Sequence, residues 1–129
     1  MTNIGFVGLG IMGGPMASHL NDNGYNLSVF NRSKEKSEKW ITQNTKAKVC
    51  FSIKDIATEC DIIILCVGND NDVRQIVDET KNLIRPGTVV IDHTTTSAEL
   101  AKEMNDILVK QGSYFLDAPV SGGEAGAQQ

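Results

Sequence analysis

Residues 5 to 20 read GFVGLGIMGGPMASHL, and the reading of this stretch decides the fold. Ile4 to Val7 forms an apolar strand that runs straight into glycines. Ile11 to Asn23 then continues at helical spacing until Gly24 stops it. Glycine loses the most freedom on ordering, so placing it where a strand hands over to a helix needs a physical reason. Gly8-Leu9-Gly10-Ile11-Met12-Gly13 fits the pattern G-x-G-x-x-G. In that pattern Gly8 permits a tight turn, Gly10 lets a pyrophosphate come against the backbone, and Gly13 lets the helix pack close to the strand. The unsatisfied N–H groups at the helix N-terminus point at the anion, and the helix dipole adds to the attraction. Pro15 falls near the first turn, where a missing N–H costs little. Gly13, Met16, Ala17 and Leu20 share the face that should meet the sheet. Glycines also occur in ordinary turns. Here the motif follows the first strand and opens a helix within a β-α-β unit, and that context gives the expectation of dinucleotide binding.

Working outward, short apolar runs alternate with amphipathic segments. Leu27 to Phe30 reads as a strand and Ser33 to Gln43 as a polar helix with Trp40 and Ile41 on its buried edge. Val49 to Phe51 reads as a short strand, and Ser52 to Asp55 as a capped helical stretch. Ile62 to Val67 is apolar without alternation, as expected of a strand buried on both faces of a parallel sheet. Val73, Ile76, Val77, Thr80 and Ile84 recur at helical spacing, and Arg85-Pro86-Gly87 ends that helix. Thr88 to Ile91 is the next strand. Thr96 and Glu99 have the spacing of a capping box for a helix with Leu100, Met104, Ile107 and Leu108 on its apolar face, closed by Gly112. Tyr114 to Leu116 is the last strand. This alternation predicts an α/β protein with a doubly wound parallel sheet and helices on both faces, one domain over residues 1–129.

The end of the second strand bears on the choice of nucleotide. An NAD site places Asp or Glu there to hold the ribose 2′-hydroxyl. Here the residues are Asn31, Arg32 and Ser33. The acid is missing, and Arg32 offers a planar, permanently charged fork for a 2′-phosphate, with Ser33 as a further hydroxyl and as a helix cap. NADP is therefore expected over NAD, the alternative being a solvated Arg32 and a Ser33 that only caps.

Composition narrows the partners. The net charge is −4 and no basic run exceeds Lys34-Glu35-Lys36, which argues against nucleic acid. No apolar run approaches the roughly 20 residues a bilayer span needs, so no membrane partner is expected. Cys50, Cys60 and Cys66 are odd in number and form no C-x-x-C pair, which suits a reduced, cytoplasmic setting. His19 and His93 are too isolated for a metal site, and Asp92 and Asp117, after strands, are expected to organise loops.

Three stretches together resemble the β-hydroxyacid dehydrogenase family, which includes 3-hydroxyisobutyrate dehydrogenase. They are Gly5-Phe-Val-Gly-Leu-Gly-Ile-Met-Gly-Gly-Pro-Met16, Asp92-His-Thr-Thr95, and Asp117-Ala-Pro-Val-Ser-Gly-Gly123, continued by Gly126 and Ala127. The resemblance covers the whole chain. It implies a Rossmann-type domain followed in the family by an all-helical domain that this chain lacks, and hydride transfer between NADP and a small 3-hydroxy acid or semialdehyde. By the same resemblance Leu9, Gly10, Ile11 and Met12 would contact the pyrophosphate, and Asn31 to Ser33 the adenosine ribose. Val67 and Gly68 would lie under the cofactor and Thr95 on its nicotinamide side. Ser121, Gly122 and Gly123 would hold the substrate carboxylate, where successive glycine-turn N–H groups make an anion-binding concavity.

The family's general acid/base is a lysine on a later helix, and the resemblance places that residue beyond Gln129. Lys34, Lys36, Lys39, Lys102 and Lys110 do not match its motif and read as surface charges. No catalytic residue is therefore expected among these 129, and the domain is expected to be cut short at its C-terminal end, inside a family motif. A full-length form is expected to be a homo-oligomer through the helical domain. Asn21-Asp-Asn-Gly-Tyr25, Asn31-Arg32 and the Ser121-Gly-Gly loop also resemble 6-phosphogluconate dehydrogenase, but the Asp117-Ala-Pro-Val lead-in favours the hydroxyacid branch. The remaining alternative is a dinucleotide-binding module without chemistry.

Overall fold

A computed structural model describes residues 2–119. Six strands and five helices alternate along the chain: β1 (Asn3–Val7), α1 (Gly13–Asp22), β2 (Asn26–Phe30), α2 (Lys34–Ile41), β3 (Lys48–Val49), α3 (Ile53–Glu59), β4 (Ile62–Leu65), α4 (Asp70–Thr80), β5 (Val89–Asp92), α5 (Ala98–Val109) and β6 (Tyr114–Asp117). All strand pairs are parallel, and the sheet order is β3-β2-β1-β4-β5-β6. The chain builds outward from β1 in one direction, then returns to β1's other side with β4. That reversal of order creates a crevice beyond the ends of β1 and β4.

Two cores follow from the period of two along each strand. On one face Val7, Ile63, Leu65, Val90 and Phe115 pack against the apolar sides of α3, α4 and α5. On the other, Ile4, Phe6, Leu27, Val29 and Ile64 pack against α1 and α2. The central strands are thus covered on both sides, which is why β4 is apolar throughout, Ile62-Ile63-Ile64-Leu65. Coverage is unequal towards β6. Tyr114 and Leu116 are exposed and Ile91 only half-buried, whereas Phe115, pointing the other way, is in the core.

Several element boundaries depart from the sequence expectations. Helix α1 begins at Gly13, two residues later than Ile11, because the turn occupies residues 8–12. Strand β3 is only Lys48–Val49, and Phe51 is exposed. The stretch at Ser52 extends into a full helix, with the Ser52 hydroxyl accepting from the Lys54 N–H at 3.2 Å. Helix α5 is capped by Ser97, whose hydroxyl accepts from the Leu100 N–H at 3.1 Å, not by Thr96. The Thr96 hydroxyl turns back towards Asp92. Ser33 occupies the N-cap position of α2, but its side chain makes no capping bond.

Candidate functional site

The glycines of the first turn differ in what surrounds them. Gly8 has φ +104, and a Cβ there would lie 2.1 Å from the Cys66 carbonyl oxygen. A Cβ on Gly13 would lie 1.9 Å from the Gly8 carbonyl oxygen. A Cβ on Gly10 would meet nothing within 4 Å. The outer two glycines are therefore demanded by the fold, and the middle one keeps an approach open. Among the described residues, the N–H groups of Gly10, Ile11, Met12 and Gly13 have no acceptor. They face a cleft of about 960 Å³ walled by the ends of β1, β2 and β4, the start of α2 and the first turns of α4.

Most of the expected cofactor residues line that cleft: Gly8, Gly10, Ile11, Met12, Gly13, Asn31, Arg32, Ser33, Val67 and Gly68. Leu9 does not. Its side chain is in the core beside Phe6, and its N–H donates to Asn31 Oδ1 at 2.8 Å, so that amide is not free for a phosphate. Thr95 is exposed and is not among the residues that line the cleft. Ser121, Gly122 and Gly123 lie outside the described residues. So does Gln129, beyond which the general acid/base lysine is expected, and that expectation therefore stands on the family resemblance alone.

Two roles were hidden from the sequence. Asn31 uses its Oδ1 on Leu9 and its Nδ2–H on the Ser33 carbonyl at 3.1 Å. It thereby fastens the glycine turn to the β2–α2 turn and acts as a positioning residue. Lys36, read from sequence as a surface charge, lines the cleft one turn into α2 and adds a second cation near Arg32. Arg32 itself reaches across the cleft to α4, its Nη2 lying 3.3 Å from Asp72 Oδ1 and 3.4 Å from Gln75 Oε1.

The neighbouring β5–α5 turn organises rather than opens. Asp92 is fully buried and accepts from the Thr94 N–H at 2.9 Å. Burial raises its carboxyl above the usual range, with the Thr94 hydrogen bond opposing. Thr94 Oγ1 in turn accepts from the Val67 N–H at 2.9 Å, fixing the chain two residues past β4. Asp70 accepts from both the N–H and hydroxyl of Ser97, at 3.1 and 2.7 Å, and the hydroxyl contact holds its carboxyl below the usual value. His93 donates from Nδ1 to the Ala118 carbonyl at 2.6 Å and borders a separate groove with Phe6 and Met16.

Nucleophiles and metal ligands are not prominent. Cys66 borders the cleft, but burial pushes its thiol up, and Cys60 is pushed up to about 12. Cys66 is apolar wall and Cys60 is core, and neither is a thiolate at neutral pH. No group of three or more His, Cys, Asp or Glu residues is placed to hold a metal among the described residues. No helix among them is long and apolar enough to cross a membrane.

A parallel sheet whose order reverses beside a turn of unpaired amides defines a Rossmann-type dinucleotide-binding domain. Comparison with known proteins narrows the class. The model for the NAD binding domain of 6-phosphogluconate dehydrogenase matches residues 3–129, and the chain belongs to that family. It is 42% identical over 131 residues to an oxidoreductase of Shewanella frigidimarina, covering 99% of this chain and 45% of that protein. It is 37% identical over 131 residues to a mitochondrial 3-hydroxyisobutyrate dehydrogenase-like protein of Arabidopsis thaliana, covering 99% and 41%. The solved structure of Mycobacterium tuberculosis 3-hydroxyisobutyrate dehydrogenase with L-serine superposes with TM-score 0.92 at 32% identity, over 99% of this chain and 43% of that one. The chain thus spans less than half the length of these relatives.

Proposed function

We propose that residues 1–129 are the nucleotide-holding domain of an oxidoreductase that moves a hydride between NADP and a small 3-hydroxy acid or semialdehyde. The observation that carries this is the set of unpaired amides from Gly10 to Gly13, facing an open cleft past a glycine with room for a ligand. Such donors favour a diphosphate. The choice of NADP rests on the second strand's end, where Arg32, Ser33 and Lys36 line the cleft and no carboxylate stands among residues 31–33. Val67 and Gly68, just past the end of β4, would lie beneath the nicotinamide half, with Thr95 beyond them. Ser121, Gly122 and Gly123 would receive the substrate carboxylate.

The relatives named for 3-hydroxyisobutyrate support that substrate class, and Asp117-Ala-Pro-Val before Ser121 supports the hydroxyacid branch over the 6-phosphogluconate one. Hydride transfer also needs a proton donor and acceptor within hydrogen-bond reach. No lysine up to Gln129 matches the one that the family resemblance assigns to that role, so turnover by the 129 residues alone is not expected. Three unpaired cysteines support a reducing, cytoplasmic setting, although plant relatives are named as mitochondrial. A homo-oligomeric full-length form rests on the family resemblance alone.

Calorimetric titration with NADP and NAD tests the reading. Arg32→Ala should lower NADP affinity roughly ten- to hundredfold, the size of one charge-assisted contact, and leave NAD nearly unchanged. Equal affinities for the two nucleotides before and after the change would refute the NADP assignment.

A further inference from the structure

Asp72 is a carboxylate inside the cleft that the reading above leaves without a part. It stands in the first turn of α4, three-quarters buried, and faces Arg32 with Oδ1 at 3.3 Å. Its position is fixed from several sides. Oδ2 accepts from the Gly68 N–H at 3.1 Å, and Asp72's own N–H donates to Asn69 Oδ1 at 3.0 Å. Gly68 leaves no slack, since a Cβ there would lie 2.6 Å from Asp72 Oδ2. Arg32 is the more exposed partner, its side chain 69% accessible.

We propose that Asp72 is a specificity-determining residue that holds Arg32 as an internal counter-ion and so limits the preference of the cleft for nucleotides bearing a 2′-phosphate. The inference rests on the NADP reading. A 2′-phosphate that takes the Arg32 fork must share it with a carboxylate that cannot withdraw, or displace it. Either way a dianion comes near a fixed negative charge. A plain 2′-hydroxyl brings no charge and meets no such conflict. Gln75 Oε1, 3.4 Å from the same guanidinium nitrogen, adds a neutral tether. Asp72 thus narrows discrimination without touching the diphosphate end.

The test is titration of the 129-residue chain with NADP and NAD, read as the ratio of the two affinities. Asp72→Asn keeps an oxygen for the Gly68 N–H and removes the charge. It should raise NADP affinity about three- to fivefold, the upper range for a solvent-screened pair, with NAD changed less than twofold. Gln75→Glu, an exposed substitution that should fold even if Asp72→Asn does not, places a second carboxylate on Arg32 and should lower the ratio. A merely structural role for Asp72 would move both nucleotides together. A ratio that stays put or falls in Asp72→Asn, or stays put in Gln75→Glu, overturns the proposal. Arg32→Ala run alongside separates the two levels. If it changes neither affinity, the 2′-phosphate reading falls and takes this proposal with it. If it behaves as expected while the Asp72 and Gln75 variants do not, only this proposal falls.

Discussion

The β1–α1 turn and the β5–α5 turn lie at the same rim of the sheet, and they treat their polar groups in opposite ways. After β5, His93 N–H donates to the Leu65 carbonyl at 2.8 Å, Thr94 N–H to Asp92, Ser97 N–H to Asp70 and Leu100 N–H to Ser97. After β1, the four amides from Gly10 to Gly13 have no partner among the described residues. Gly10 and Ile11 are exposed, so water serves those amides until a ligand replaces it. A turn that satisfies itself can only shape its surroundings. A turn that leaves donors pointing into a cleft holds them ready for something else.

The contrast can be broken most easily at the glycines. Gly13→Ala should cost more than about 3 kcal/mol of stability in chemical denaturation, since backbone at 1.9 Å cannot yield cheaply. Gly10→Ala should leave stability within about 0.5 kcal/mol and, on the proposed reading, weaken nucleotide binding tenfold or more, because the added methyl would stand in the open approach to the unpaired amides. Similar stability losses in both variants would erase the distinction between a structural and a ligand-facing glycine.

The self-satisfied turn should respond the other way round. Thr94→Val removes the acceptor of the Val67 N–H and should lower stability by about 1–3 kcal/mol, with a smaller change in nucleotide affinity. A variant that melts like the wild type but loses binding would move Thr94 to the ligand side.

The smallest effect is a slope. Burial raises the Asp92 carboxyl, so the folded chain binds its proton more tightly than the unfolded chain. The stability associated with that proton is present below the ordinary value of 3.8 and is lost as pH rises through the raised value. Asp92→Asn has no such loss. Its stability relative to wild type should therefore improve from pH about 4 upward, and a difference that is flat across that window would contradict the assignment.

How far these turns could be read without coordinates depends on whether their reasons are local. Gly8, Gly10 and Gly13 were legible because a strand-to-helix turn constrains its own backbone. The unbroken Ile62-Ile63-Ile64-Leu65 run announced a doubly covered strand. The cap of α5 was misread because Thr96 and Ser97 both suit it. Asp70, distant in sequence, decides the matter by fixing the Ser97 N–H and hydroxyl. Leu9 gave no sign that its amide is occupied, since that depends on the Asn31 side chain crossing from another strand. Gly5 lies inside β1, and a Cβ there would lie 2.8 Å from Ile56, so α3 packs directly over it, a reason that no local pattern carries. Lys36 and Asp72 sit on polar helix faces, and only the placement of α2 and α4 on either side of the crevice turns them towards it.

Trp40 is the chain's one tryptophan, and its indole N–H donates to the Gly14 carbonyl at 3.1 Å, one residue beyond the glycine turn. An intrinsic fluorophore is therefore wired to the first residues of α1. A ligand that shifts those residues should change the polarity around the ring, and Trp40 emission is the dye-free readout that would register it.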